Sequence, residues 1–167
     1  MTITPNRLPN FIISGGFIGV PVSLTSQVCT RDSPGNVPIM LYDSTSSVYP
    51  LGNGAVAENL IISPTGAVAK STLLLFMKID GSATWLYHDE VDLPALSTQS
   101  ATTKPSGYPL RAQLSEVIYS PTPNIGTDQG VRATRINDPS RSLQLGVALG
   151  TAIGSLPLIV YLKGGEY

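Results

Sequence analysis

Residues 143–162 read LQLGVALGTAIGSLPLIVYL, a run of twenty without a charge, bracketed by Arg141 and Lys163. Its length would let a helix cross a bilayer, and Gly146, Gly150 and Gly154 recur at the four-residue spacing of a helix-packing face. Finer patterning points the other way. Leu143, Leu145, Val147 and Leu149 alternate with Gln144, Gly146, Ala148 and Gly150, which is the period of a strand. Pro157 would interrupt a helix, and Leu158–Leu162 is a second apolar run after the small-residue turn Thr151–Ser155. The segment predicts two strands joined by a short loop, and no membrane span.

Working outward, the same grammar repeats. Leu73-Leu74-Leu75-Phe76-Met77 is continuously apolar, so its strand, expected over Ser71–Asp80, should be covered on both faces. Asp80-Gly81-Ser82 then signals a hairpin into Thr84–Leu93. Val20–Val28 alternates, which places Val20, Val22 and Leu24 on one face, and Pro34-Gly35-Asn36 marks a turn before Val37–Tyr42. Glu58–Ser63 and Tyr108–Tyr119 are further strand candidates, while Ser97–Gly107 and Ser120–Gly130 read as long loops. No stretch has convincing helical periodicity. The expected fold is all-β, a single antiparallel β-sandwich of jelly-roll type, with residues 17–167 forming the sandwich and residues 1–16 an extended N-terminal arm.

Composition narrows the function classes. The chain has 167 residues, of which 13% are charged, with a net charge of −1. That charged fraction is about half the usual ~25%. Ten basic residues against eleven acidic ones provide no global field for nucleic acid or an anionic membrane, so neither is an expected partner. Ser and Thr, 33 together, replace the missing charges. A hydroxyl-rich surface is cheaper to desolvate against a neighbour than one dense in Lys and Glu, which suits a subunit of an assembly. One cysteine excludes an internal disulfide, and one histidine excludes a zinc site built on paired His ligands. Pro5, Pro9 and Gly15-Gly16 interrupt the apolar start, which lacks the continuous core of a secretion signal.

Catalytic patterns are missing from the sequence. His88-Asp89-Glu90 is the densest polar cluster, but on a strand His88, Glu90 and Asp92 share one face and Asp89 the other. Cys29 with His88 has no local support as a nucleophile and base, and Cys29 reads as a small half-buried hydrophobe. No Gly-x-Ser-x-Gly elbow, phosphate-binding glycine loop or His-Glu-x-x-His is present, so no enzyme, cofactor or metal is expected. Arg132, Arg135 and Arg141 lie in a segment whose sole acid is Asp138; they are expected to meet acids of a neighbouring subunit, or Asp89, Glu90 and Asp92 within the fold.

The succession Glu58–Ser63, Leu73–Ile79, Asp80-Gly81-Ser82 and Thr84–Val91, closing in Leu93-Pro94-Ala95, resembles small β-sandwich virion proteins of tailed bacteriophages. The end is similar in style, with Ser142–Val147, a small-residue loop, and a strand closing in Gly164-Gly165-Glu166-Tyr167. The resemblance covers Glu58–Ala95 and Ser142–Tyr167, under half of the chain. It implies a non-enzymatic structural subunit located in the virion. Such a subunit would be a capsid decoration (cement) protein on the major capsid protein, expected as a homotrimer, or a neck or tail ring protein, hexameric or dodecameric. Interface candidates are Arg7, Phe11, Phe17, Tyr108, Arg132, Arg135, Arg141 and Tyr167. A glycan- or receptor-binding module using loop tyrosine and aspartate side chains is the expectation from a different class.

Overall fold

The computed structural model describes residues 14–43, 55–79, 81–97, 108–113, 134–136 and 142–166. Among them are nine strands: β1 (Ser14–Leu24), β2 (Ile39–Asp43), β3 (Ala55–Pro64), β4 (Ser71–Ile79), β5 (Leu86–Leu93), β6 (Leu110–Gln113), β7 (Thr134–Ile136), β8 (Leu143–Leu149) and β9 (Leu158–Glu166). The uncharged run 143–162 supplies β8 and the first part of β9. They lie in different sheets, so the turn between them carries the chain across the sandwich.

Sheet A has the order β1-β9-β3-β6, with β7 also on β3, and sheet B has the order β2-β8-β4-β5. The pairs β1·β9, β2·β8, β3·β6 and β4·β5 are antiparallel and nested, as if one long hairpin had been folded over into two sheets. That is the jelly-roll wrap. β6 and β7 divide one edge of β3, opposite Asn59–Ile62 and Ala55–Ala57 respectively. Ser14, Glu166, Ala55 and Ile136 consequently form one row across an end of sheet A.

The core between the sheets takes the inward half of each alternation: Leu60 and Ile62 from β3, Leu145, Val147 and Leu149 from β8, Val160 and Leu162 from β9. On β4 the alternation is hidden in an all-apolar run. Leu73, Leu75 and Met77 face this core, whereas Leu74 and Phe76 join Cys29, Trp85 and Ala148 in a second cluster on the outside of sheet B. Trp85 lies over Gly146, where an added Cβ would sit 2.7 Å from the indole, and Lys78 Nζ is 4.7 Å from the ring centroid on top. The expectation that β4 is covered on both faces is met within the single chain.

The first strand departs from its sequence pattern. Val22 is buried at 6% exposure, but Val20 is 40% exposed rather than on the same face. Ile18 pairs with Leu162 and Val22 with Val160, so four steps along β1 oppose two along β9. This bulge, at Gly19 with φ +75°, turns Val20 and Pro21 outward. β1 also begins at Ser14, three residues inside the segment expected as an arm. At the hairpin, Gly81 has φ +71° and Ser82 N donates to Ile79 O at 3.1 Å, as the turn signal requires.

Tyr108, an interface candidate, is part of the chain's own core at 3% exposure, its hydroxyl donating to Pro94 O at 2.9 Å. It follows the expected loop Ser97–Gly107 at the start of the strand candidate Tyr108–Tyr119, and packing against residues distant in sequence buries it. Burial raises its phenol above the ordinary value, and the Cys29 thiol is raised for the same reason. A raised folded pKa favours the neutral form, so these contributions hold below the unfolded values, about 8.5 for Cys and 10 for Tyr, and fade as pH rises through the folded ones. Tyr108→Phe should lose about 1 kcal/mol at neutral pH with the hydrogen bond. It should also flatten the alkaline decline above about pH 10, read from denaturation midpoints across pH.

Candidate functional site

The described surface gathers chemistry in one place, the outer face of sheet B near the start of β4. Three segments meet there. β4 contributes Thr72 and Leu74, the turn after β8 contributes Gly150 and Thr151, and the strap after β1 contributes Cys29, Thr30 and Arg31. Together they line a cleft of about 260 Å³. The strap is stitched to β8: Cys29 N donates to Leu149 O at 3.0 Å and Leu149 N donates to Gln27 O at 2.7 Å. The turn is tied to β4, with Gly150 N donating to Thr72 O at 2.8 Å and the buried Ser71 hydroxyl donating to Thr151 O at 2.7 Å.

β5 supplies the rim. Register places Asp92 beside Thr72 and Glu90 beside Leu74, on the outer face. Arg31 grips Glu90 with two hydrogen bonds, Nε at 2.6 Å and Nη2 at 2.8 Å, and its guanidinium carbon lies 5.9 Å from the Tyr87 ring centroid. The Glu90 hydrogen bond, then Tyr87, holds the guanidinium above its usual range. Burial, then the Glu90 carboxylate, raises the Tyr87 phenol. The side chain of Arg31 is 59% exposed, so this pair adds little to stability and acts chiefly to orient the guanidinium. Phe76 meets Tyr87 edge-on, at 6.2 Å between centroids.

Sequence reasoning missed this constellation for a definite reason. Tyr87 and Glu90 are three apart and belong on opposite faces of a regular strand. Leu75 pairs with Asp89 and Phe76 with Tyr87, which leaves His88 as the extra residue of a bulge. His88 leaves the alternation it was expected to share with Glu90 and Asp92, and Tyr87 joins Glu90 instead. Arg31, a cation outside the expected set, takes Glu90. The one available signal was Arg31 itself, a cation beside a Pro-Gly turn that no local acid except Asp32 could match.

The described interface candidates Phe17, Tyr108 and Arg135 do not line this cleft. Arg7, Phe11, Arg132, Arg141 and Tyr167 lie outside the described residues. Phe17 is on β1 opposite Lys163, and Arg135 is on β7 opposite Val56, both in sheet A. Among the described residues no group of three His, Cys, Asp or Glu side chains is placed to hold a metal, and no helix is long and apolar enough to cross a membrane. Cys29, buried with a raised thiol, has the opposite environment from an activated nucleophile. No family model, curated protein or solved structure matches the chain.

Proposed function

We propose that the protein is a non-enzymatic structural subunit of a tailed-phage virion, a capsid decoration protein that stabilises the head by contacts with the major capsid protein and with its own copies in a trimer. The observation carrying this reading is the row Ser14–Glu166–Ala55–Ile136. Described ends of β1, β3, β7 and β9 meet on that row, at Ser14, Ala55, Ile136 and Glu166. Two of the interface candidates, Phe17 on β1 and Arg135 on β7, lie just inside that row. A subunit held by one end can reach several neighbours while its remainder stands clear. Each segment that covers apolar area contributes roughly 25 cal/mol per Å², and symmetry multiplies the contacts.

Imaging the assembled particle tests the reading. Hundreds of copies at capsid threefold positions are expected. Six or twelve copies around the portal–tail axis would overturn the decoration role in favour of a neck or tail ring, and absence from every particle would overturn the virion role altogether. Deleting Met1–Asn10 should leave the sandwich folded, since β1 starts at Ser14, while particle occupancy falls at least tenfold. That factor corresponds to losing about 1.4 kcal/mol of contact. Unchanged occupancy would remove the arm from the interface.

A further inference from the structure

From the cleft on the outer face of sheet B we infer a carbohydrate site that accepts one neutral sugar ring. Leu74 closes the floor, buried to 3% exposure, and Thr30, Thr72, Thr151 and Arg31 supply methyls, hydroxyls and a guanidinium around it. A pyranose has the matching split, with a C–H face and an equatorial ring of hydroxyls that both donate and accept. An apolar ligand would strip water from the threonine and arginine groups without replacing its hydrogen bonds. An anion fits worse. Arg31 is already committed to Glu90, and Asp92 stands beside Thr72, so the rim carries one positive charge against two negative. The volume of about 260 Å³ lies just under the ~300 Å³ at which small-molecule pockets begin, the scale of a single ring rather than a larger ligand.

The site is built rather than incidental. Hydrogen bonds fix two of its three walls to the sheet, and the Arg31 fork is held by Glu90 and Tyr87 before any ligand arrives, which lowers the ordering cost of binding. It also stands at the opposite end of the sandwich from the row Ser14–Glu166–Ala55–Ile136. The cleft borders Ser71 and Leu149, at the end where Thr65 N donates to Pro157 O and Ala69 N donates to Ile153 O. A subunit anchored by the row would present this cleft outward, yet the sugar site stands whether or not that reading holds.

Saturation-transfer NMR on the full chain, with glucose, galactose, mannose and N-acetylglucosamine as separate probes, tests it. Transfer to the C–H protons of at least one is expected, with a dissociation constant on the order of 1 mM. Gly150 lies outside the left-handed region, and a Cβ there would stand 3.5 Å from Thr72, so Gly150→Leu can fill the cleft without backbone strain and should abolish transfer. Thr72→Val keeps the shape and removes one hydroxyl, and Arg31→Met removes an exposed guanidinium; each should weaken binding roughly tenfold while the denaturation midpoint moves little. Oligosaccharides ending in the same sugar separate a free or terminal ring, bound equally well, from a polysaccharide track, bound more tightly, and both outcomes support the site. No transfer from any sugar, transfer that survives Gly150→Leu, or binding of inorganic phosphate in its place would overturn it. Particle occupancy should be indifferent to Gly150→Leu, so this test and that of the virion role fail separately.

Discussion

Gly19→Val is expected to abolish folding or nearly so. At φ +75° the backbone is in the left-handed region, where a β-branched side chain is a steric outlier. A Cβ there would also run into the backbone carbonyl of Leu41, on β2 of the facing sheet. A carbonyl in a strand cannot swing aside as a side chain would. Left-handed strain of about 1–3 kcal/mol and overpacking of about 1–3 kcal/mol add up to a large part of a typical domain stability of 5–15 kcal/mol. Gly35 provides the control. Its φ is +54°, but nothing lies within 4 Å of an added Cβ. Gly35→Ala should therefore lose only about 1 kcal/mol, for the backbone alone. Denaturant midpoints for the two variants, at constant m, separate strain from collision. Equal effects would mean that the β1–β2 approach contributes nothing.

Phe76→Ala is the second large effect, expected at about 3–5 kcal/mol for a fully buried aromatic residue. Its particular interest is where the loss falls. Phe76 belongs to the cluster outside sheet B, with Trp85 and Cys29, and not to the core between the sheets. Trp85 is the single tryptophan in the chain and is buried, so its emission reports on this layer alone. The variant should shift that emission to the red in the native baseline and lower the denaturation midpoint together. A loss below about 1 kcal/mol with unchanged emission would show that the outer layer is not packed on β4.

The outer layer explains why the surface of sheet B can carry a shaped site at all. A jelly roll commonly leaves the outer face of each sheet to solvent, and such a face is pleated but shallow. Here the strap from Val28 to Val37 and the indole of Trp85 cover part of it, and the uncovered margin between strap, β4 and the turn after β8 becomes a cleft. The apolar residues at 74 and 76, which the sequence reports only as part of a continuous run, are thus the reason for the strap, and the strap brings Arg31 to Glu90.

How much of this the sequence contains differs from residue to residue. Period-two alternation decided the reading of residues 143–162 as strands, because side chains on a strand must alternate between faces whatever the partner strand is. The apolar run at 73–77 announced a strand covered twice, since no solvated face tolerates Leu74 and Phe76 in succession with Leu73 and Leu75. Gly81 at the hairpin and Gly35 at the turn were legible because chirality alone reserves those dihedrals for glycine. All of these are local properties of the chain. The bulges at Gly19 and His88 were not legible, because each exists only relative to the partner strand, β9 or β4, whose register is set by the packing of both sheets. Their consequences were equally hidden: Val20 turned outward, Tyr87 brought to the side of Glu90, and Arg31 drawn to an acid 59 residues away. The nested order that places β1 beside β9 and sets Ser14 opposite Glu166 is also a tertiary decision. Alternation tells a strand which face to bury but not which neighbour to pair with, so the class of fold lay in the sequence and the site lay in the folding.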